Sequence, residues 1–458
     1  MSNRTHPLSV MDPAAFLPKE QAALERGEEM RGQFWMADAP ESRASGVLRW
    51  SRLKGAELWL IAPGADWPGV WSHAQGGTEH PIRLHGLLVG QGVRVTIPDG
   101  IVTASTFGTG APQLKCVCSR LVLFAHLRQN DTWKRMTFRS ANLHEWFPIT
   151  GFEQPEMVVD RRFQVRSYAL RWKVPRGTRV PLKDAEIRFS PRMMASPVRD
   201  RPDRSISTAM DIHVVAKERA TIDELHQRFA TPFVDLLVIA GGIPDALTYE
   251  GVIRGKQSRA VVLRRGNEPT WREWRPDRPL LFYAADLPDL RMALRKWFDL
   301  HARLSPAFEV LARSINEDRR YSPERLLNVA SSLEAYHRVL HEGHWWRRWR
   351  NRHPASKRKR SPTLLERVTH LQQLSGLPES VTGLGEASRE LFVSSRNHFA
   401  HLDEPRYGYI IDDVYDNTVP SIRRGVALIQ ACIMRRLGLT PGQARACLAE
   451  HYRGWSIT

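Results

Sequence analysis

The string Ser395-Arg396-Asn397-His398-Phe399-Ala400-His401 places a guanidinium, an amide and two imidazoles within seven residues of a predicted helix. At about 100° per residue, Arg396 and His401 stand roughly 140° apart around that helix. A long Arg side chain can close the gap, so guanidinium and imidazole can meet at one phosphate. Asn397 and His401, four residues apart, share a face on which an amide can orient an imidazole. Imidazole is the side chain that trades protons near neutral pH, and guanidinium is a fixed cation whose fork matches phosphate oxygens. Arg and His alone at this spacing read equally well as a polar stretch at a helix end. The flanking apolar residues Phe392 and Phe399 argue instead for a site built onto a core helix.

A second feature lies upstream. Residues 343–362 hold eight cations (Arg347, Arg348, Arg350, Arg352, Lys357, Arg358, Lys359 and Arg360) and no acid, with Trp345, Trp346 and Trp349 interleaved. Cations for phosphates and aromatic faces for unstacked bases are what single-stranded RNA asks of a protein. A solvated loop between two helices and a basic segment touching anionic lipid are the competing readings. The Arg–His string in the same region favours RNA. His337, His341 and His344 stand at helical spacing, but no carboxylate or Cys completes a zinc site and Gly343 is expected to end the helix before His344. The acids Asp403, Glu404, Asp412, Asp413 and Asp416 read as loop surface. Residues 86–92 are glycine-rich without the Lys-Ser/Thr or GxGxxG of a phosphate loop. No metal and no cofactor is expected.

These residues need elements to hold them. The first half reads as short strands at 47–50, 57–61, 82–88, 93–97, 115–124 and 163–172, separated by Gly, Pro and Asp clusters, as in an antiparallel sandwich or barrel. One helix interrupts, from Thr221 to Ala240, stopped by Gly241-Gly242. After about residue 285 the period becomes helical. A segment opens at Asp286 and Pro288 and is interrupted or kinked at Ser305-Pro306. Ser322-Pro323 caps a helix that Gly343 stops. Thr363 opens the next, 386–402 carries the Arg–His string, Ser421 to Leu437 ends at Gly438, and Thr440-Pro441 opens a last short helix. The fold class is therefore α+β, with a β-rich region at 1–285 and an all-α bundle at 286–458.

Composition agrees with a folded protein: of 458 residues, 42% are hydrophobic and 25% charged. The formal net charge is +18, which favours an anionic partner. Residues 286–458 carry 27 Lys/Arg against 19 Asp/Glu, a net of +8. The basic run supplies eight of those charges, so the rest of the bundle is neutral. Cys116 and Cys118 are expected on opposite faces of a strand, suiting neither a disulfide nor a metal; with Cys432 and Cys447 they make no disulfide framework. The N-terminus has no signal-peptide pattern and no apolar run is long enough to span a bilayer. A cytoplasmic protein with no membrane partner is the expectation.

Arg396-Asn397-x-x-x-His401 resembles the Arg-x(4–6)-His motif of HEPN-domain ribonucleases, in the form with Asn after the Arg. Ser332-Leu333-Glu334-Ala335-Tyr336-His337-Arg338 is similar to the Leu-Glu-Ala-Tyr-His segment in the HEPN domain of ApeA-like anti-phage defence proteins. Gly32-Gln33-Phe34-Trp35, Gly46-Val47-Leu48, His85-Gly86 and Val95-Thr96-Ile97 resemble the ApeA N-terminal pattern. The resemblance implies a metal-independent endoribonuclease in which the ribose 2′-OH attacks phosphorus, leaving 2′,3′-cyclic phosphate ends. It implies His401 and Arg396 as catalytic groups, with Asn397 and His398 positioning substrate or orienting His401. Glu334 would hold Arg396 or an imidazole, and equally fits a plain i,i+4 pair with Arg338. The family's homodimer through this bundle would bring two motifs to one cleft. The β-rich half would sense a phage-derived trigger, and exposed RNA loops such as tRNA anticodon loops fit as substrate. A HEPN bundle that only binds RNA or nucleotide, and a HEPN toxin silenced by a separate antitoxin, are the alternatives.

Overall fold

The computed structural model describes residues 19–61, 81–90, 92–106, 113–148, 156–159, 165–169, 171, 173, 177–195, 206–242, 245–254, 258–266, 279–316, 322–352, 361–402, 404–405 and 407–452. The chain opens with α1 (Lys19–Glu25) and then builds a closed antiparallel barrel. Its strands are β1 (Met30–Met36), β2 (Ala39–Ser51), β3 (Gly55–Ile61), β4 (Ile82–Leu88), β5 (Val93–Thr106) and β6 (Gln113–Cys118). They run β5-β4-β1-β2-β3-β6, and pairing of β5 with β6 closes the ring, which removes free edges.

The barrel strands alternate as a filled interior requires, with Leu48, Leu58, Leu60, Val95 and Leu114 inside. Phe34 fills the centre. A Cβ on Gly86 would sit 2.4 Å from its ring, on Gly46 3.0 Å and on Gly32 3.2 Å. Gly32, Phe34, Gly46 and Gly86, residues quoted above for the family pattern, are thus one packing unit in which glycines on three strands make room for one aromatic ring. Beside it, His85 Nε2 lies 3.0 Å from the Leu127 carbonyl and its ring stacks on His126 at 4.8 Å.

The expected strand at 115–124 is two. The chain breaks at Ser119, and β7 (Arg120–Leu123) leaves the barrel to pair with the outer side of β5. From β7 the sheet continues outward as an open extension. It runs through β15 (Ser258–Arg264), β14 (Leu247–Arg254), β8 (Trp133–Ser140), β13 (Ile206–Ala220), β12 (Ala185–Ala195) and β11 (Thr178–Pro181). A separate hairpin joins β9 (Glu156–Val159) to β10 (Val165–Ala169). Cys116 and Cys118 correct the expectation of opposite faces: residues two apart in a strand share a face, and both thiols are buried in the barrel. Burial pushes both above the usual thiol range, so neither is a ready thiolate.

After β8 comes α2 (Leu143–Trp146). The helical segment after Thr221 begins with a capping box to Glu224, as α3 (Ile222–Leu225), widens into a π-turn at His226–Ala230, and continues as α4 (Thr231–Gly241), closed by Gly242 at φ 61°. Phe233 of α4 packs on Phe138 of β8, Phe189 of β12 and Trp146 of α2.

A short 3₁₀ turn at Ala284–Asp286 leads into the helical region. It comprises α5 (Leu290–Asn316), α6 (Pro323–Arg352), α7 (Leu364–Ser375), α8 (Glu379–Thr382), α9 (Glu386–His401), α10 (Ile411–Asp416), α11 (Thr418–Leu437) and α12 (Pro441–His451). Two expected breaks do not occur. α5 passes through Pro306, held by buried Leu300, Leu304, Phe308 and Leu311 on either side of it. α6 passes through Gly343, which lacks the left-handed φ of a helix stop; in a continuing helix Gly costs only about 1 kcal/mol. The helix therefore carries the first half of the basic run, which is not a loop up to Arg352.

One apolar core runs from the open extension through α4 into the helical region, while the barrel has its own. α4 is the seam: the Trp297 indole donates to the Pro232 carbonyl at 2.7 Å, His301 Nε2 meets Asp235 at 2.8 Å, and Gln430 donates to the Ile239 carbonyl at 2.9 Å. Among the described residues no helix is long and apolar enough to cross a membrane.

Candidate functional site: an arginine held between a glutamate and a histidine

α9 is buried through Leu391, Phe392, Val393, Ser394 and Ser395, and becomes accessible from Arg396 onward. The polar string is thus the solvent-facing end of a core helix. Arg396 spans the turn as its length allows. Its Nη1 lies 3.4 Å from His401 Nε2 and donates to Asn397 Oδ1 at 3.1 Å. Its Nη2 stands 3.8 Å from Glu334 Oε2 on the neighbouring α6, both side chains being 24% exposed. Glu334 and Arg396, 62 positions apart in the chain, therefore meet across two packed helices.

A guanidinium has only donors, so in the Arg396–His401 contact the imidazole nitrogen is the acceptor. Asn397 turns its side-chain oxygen to Arg396, and His398 lies against Phe399 and Tyr415, with ring centroids 5.3 and 6.1 Å away. The helix ends on Leu402 at φ 56°, a conformation that costs a residue with a Cβ roughly 1–2 kcal/mol. This reverses the chain, so that Tyr409 Oη donates to the Ala387 carbonyl at 2.9 Å and α10 packs back on α9.

The return segment holds residues that sequence reasoning passed over. Leu402 is 84% exposed, and Tyr407, Ile410, Ile411 and Tyr415 are also exposed, giving an apolar surface beside His401. The adjacent Ile410-Ile411 pair was its only sequence signal, obscured by the surrounding acids. Asp412, Asp413 and Asp416, expected in a loop, stand on α10, where Asp413 accepts the Ile410 N–H.

The basic run continues α6 away from Glu334. At 1.5 Å per residue, Arg347 lies about 20 Å and Arg352 about 27 Å along the helix from Glu334. Arg347 is exposed; Trp345, Trp346, Arg348, Trp349, Arg350 and Arg352 sit on the same helical stretch. Lys357, Arg358, Lys359 and Arg360 lie outside the described residues.

His337, one turn beyond Glu334, is fully buried and engaged at both nitrogens. Arg367 Nη1 donates to Nδ1 at 3.2 Å, which leaves the Nε2 proton for His370 Nδ1 at 2.9 Å. Among the described residues no group of three or more His, Cys, Asp or Glu could hold a metal ion. Burial, with His370 and Arg367 beside it, pulls His337 down to about 3 from 6.5. The unfolded chain then takes up this proton before the folded one does. Its contribution to stability is complete above 6.5 and is lost as pH falls from 6.5 toward about 3. In urea titrations, the stability difference between wild type and His337→Gln should shrink from neutral pH into that window. A constant difference would contradict the assignment.

Residues 29–244 match the family model described as ApeA N-terminal domain 1. The match covers the barrel, β7 to β13 and α4, so residues 29–244 are ApeA-like; it stops before β14 and β15 and before the helices that carry Arg396 and His401. No curated protein and no solved structure matches the chain.

Proposed function

We propose that the chain is an anti-phage defence protein whose ApeA-like N-terminal region controls a HEPN-type endoribonuclease in the helical region. The observation that carries this reading is Arg396 suspended between Glu334 and His401 at an accessible helix end. Glu334 orients the guanidinium so that its remaining donors point outward with His401 Nε2. A phosphodiester entering there takes the donors of Arg396 on its non-bridging oxygens, where negative charge grows as phosphorus becomes five-coordinate. His401 Nε2 accepts the proton of the adjacent 2′-OH as the O2′–P bond forms. The P–O5′ bond breaks, and O5′ takes a proton from an imidazolium, leaving a 2′,3′-cyclic phosphate and a 5′-OH. A homodimer supplies that second imidazole as the His401 of a second copy, and the exposed apolar surface around Leu402, Ile410 and Ile411 is where the copies would meet.

The reaction needs a nucleotide free to rotate into line, which favours unpaired loops such as tRNA anticodon loops. RNA leaving the site along α6 meets the basic, Trp-bearing stretch. On single strands each phosphate contact contributes about 0.7 to the slope of log K against log salt. Replacing Arg347, Arg348, Arg350 and Arg352 together by Gln should flatten that slope by up to about 3, with the melting temperature unchanged. An unaltered slope would remove these residues from the interface. The reading as a whole is tested by mapping RNA ends in cells after induced expression. Wild type should produce new 5′-OH ends and Arg396→Ala none; equal profiles would reject it.

A further inference from the structure

A cavity of about 220 Å³ lies away from Arg396 and His401, where the barrel meets the open extension. Its walls come from α1, the β2–β3 turn, β14, the end of β15 and α4. Gln21 lies in its wall, is 1% exposed, and its side-chain oxygen has no hydrogen-bond partner. Such an orphaned acceptor costs about 1–3 kcal/mol unless a donor reaches it. Two groups of charges in the same wall are paired among themselves. Arg52 is held by Glu25 at 3.1 and 3.2 Å and by the Leu247 carbonyl at 2.5 Å. Glu250 lies between His226 at 3.0 Å and Arg264 at 2.8 Å. Burial opposes ionisation of Glu250, but the contacts with His226 and Arg264 overcome it and hold it at about 2. At these pairs a phosphate finds no uncommitted cation and a polyamine no uncommitted carboxylate; of the other charged groups in the wall, Arg265 donates to the Leu53 carbonyl at 2.9 Å and Asp245 accepts from the Asn142 and Ala246 N–H groups. A neutral molecule that donates to Gln21 and borrows outer lone pairs and N–H groups of the ion pairs meets neither penalty. At about 30 Å³ per water, the space equals some seven waters, the room of a heterocyclic base with part of its sugar.

We propose that this cavity is a binding site for a neutral, hydrogen-bonding heterocycle of nucleobase-to-nucleoside size, with Gln21 as its specific acceptor. Asp235 of α4 lines the cavity and pairs with His301 of α5, so the bound molecule touches the helix on which the helical region is seated. The site is independent of the ribonuclease reading, because binding is measured without RNA. The full chain is titrated calorimetrically, at millimolar ligand, with the common nucleobases and nucleosides, and in parallel arms with nucleoside 5′-monophosphates and putrescine. At least one base or nucleoside should bind one per chain and raise the melting temperature. Gln21→Leu should weaken it about tenfold, the effect of one lost hydrogen bond. Val234→Phe, which fills the cavity from α4 and keeps Gln21, should abolish binding in a folded protein even where Gln21→Leu fails to fold. The proposal is overturned if no base or nucleoside binds, if the monophosphates or putrescine bind more tightly than any of them, or if Val234→Phe leaves binding intact.

Discussion

His401→Ala should lower the proposed RNA cleavage by about 10²–10⁴-fold, the range for removing a general acid–base group. Arg396→Ala should lower it by about 10²–10³-fold, as loss of a donor that stabilises transition-state charge does elsewhere. Neither change should unfold the protein. His401 is exposed and Arg396 is half-buried at a helix end, away from the packing of Phe392 and Leu391. The two losses should be far from additive, because in the proposed mechanism the base and the cation act on the same phosphate. Glu334→Gln tests the supporting contact separately. It keeps the shape and removes the charge facing Arg396, so cleavage should fall less than in either single variant while RNA affinity stays near wild type. Gel-based single-turnover assays with melting curves for each variant separate these effects. Full activity in His401→Ala would remove the imidazole from the chemistry.

The largest stability loss is expected at Trp297→Ala. Trp297 is fully buried on α5, stacks on Phe308 at 5.0 Å and donates to the Pro232 carbonyl on α4. Removing so large a side chain from a core costs about 3–5 kcal/mol, and the orphaned carbonyl adds about 1–3 kcal/mol. Because one core joins the open extension to the helices, both should weaken together. Urea unfolding followed by circular dichroism, with proteolysis sites mapped on each side of Ala284, checks this. A loss below about 1 kcal/mol, or helices that loosen while the sheet keeps its protection, would contradict a shared core.

What the chain revealed in advance follows from which interactions are local. Arg396 and His401 lie on one helix, so the helical period alone brings them together, and the structure places them 3.4 Å apart. Thr363 and Thr440 open their helices as expected, and at both a capping box forms within four residues. Pro306 and Gly343 misled, because whether such a residue ends a helix depends on packing and on the φ it adopts. β12 was not read as a strand: Ala185, Ile187 and Phe189 alternate inward, but Pro191 and the charged outer face mask the pattern. Glu334 came through a segment resemblance, and only the packing of α6 against α9 fixes its partner as Arg396. The cavity at the seam had no signal at all, since Gln21, Arg52 and Glu250 come from distant segments that only the sheet order unites.

In the proposed reaction, His401 and Arg396 drive attack of a ribose 2′-OH on its neighbouring phosphate. Incubating the purified full chain with RNA in EDTA and assaying the new ends for 2′,3′-cyclic phosphate tests it most directly. Cyclic-phosphate ends from wild type and none from His401→Ala are the predicted result; identical ends from the two proteins, or 3′-OH ends from wild type, would contradict it.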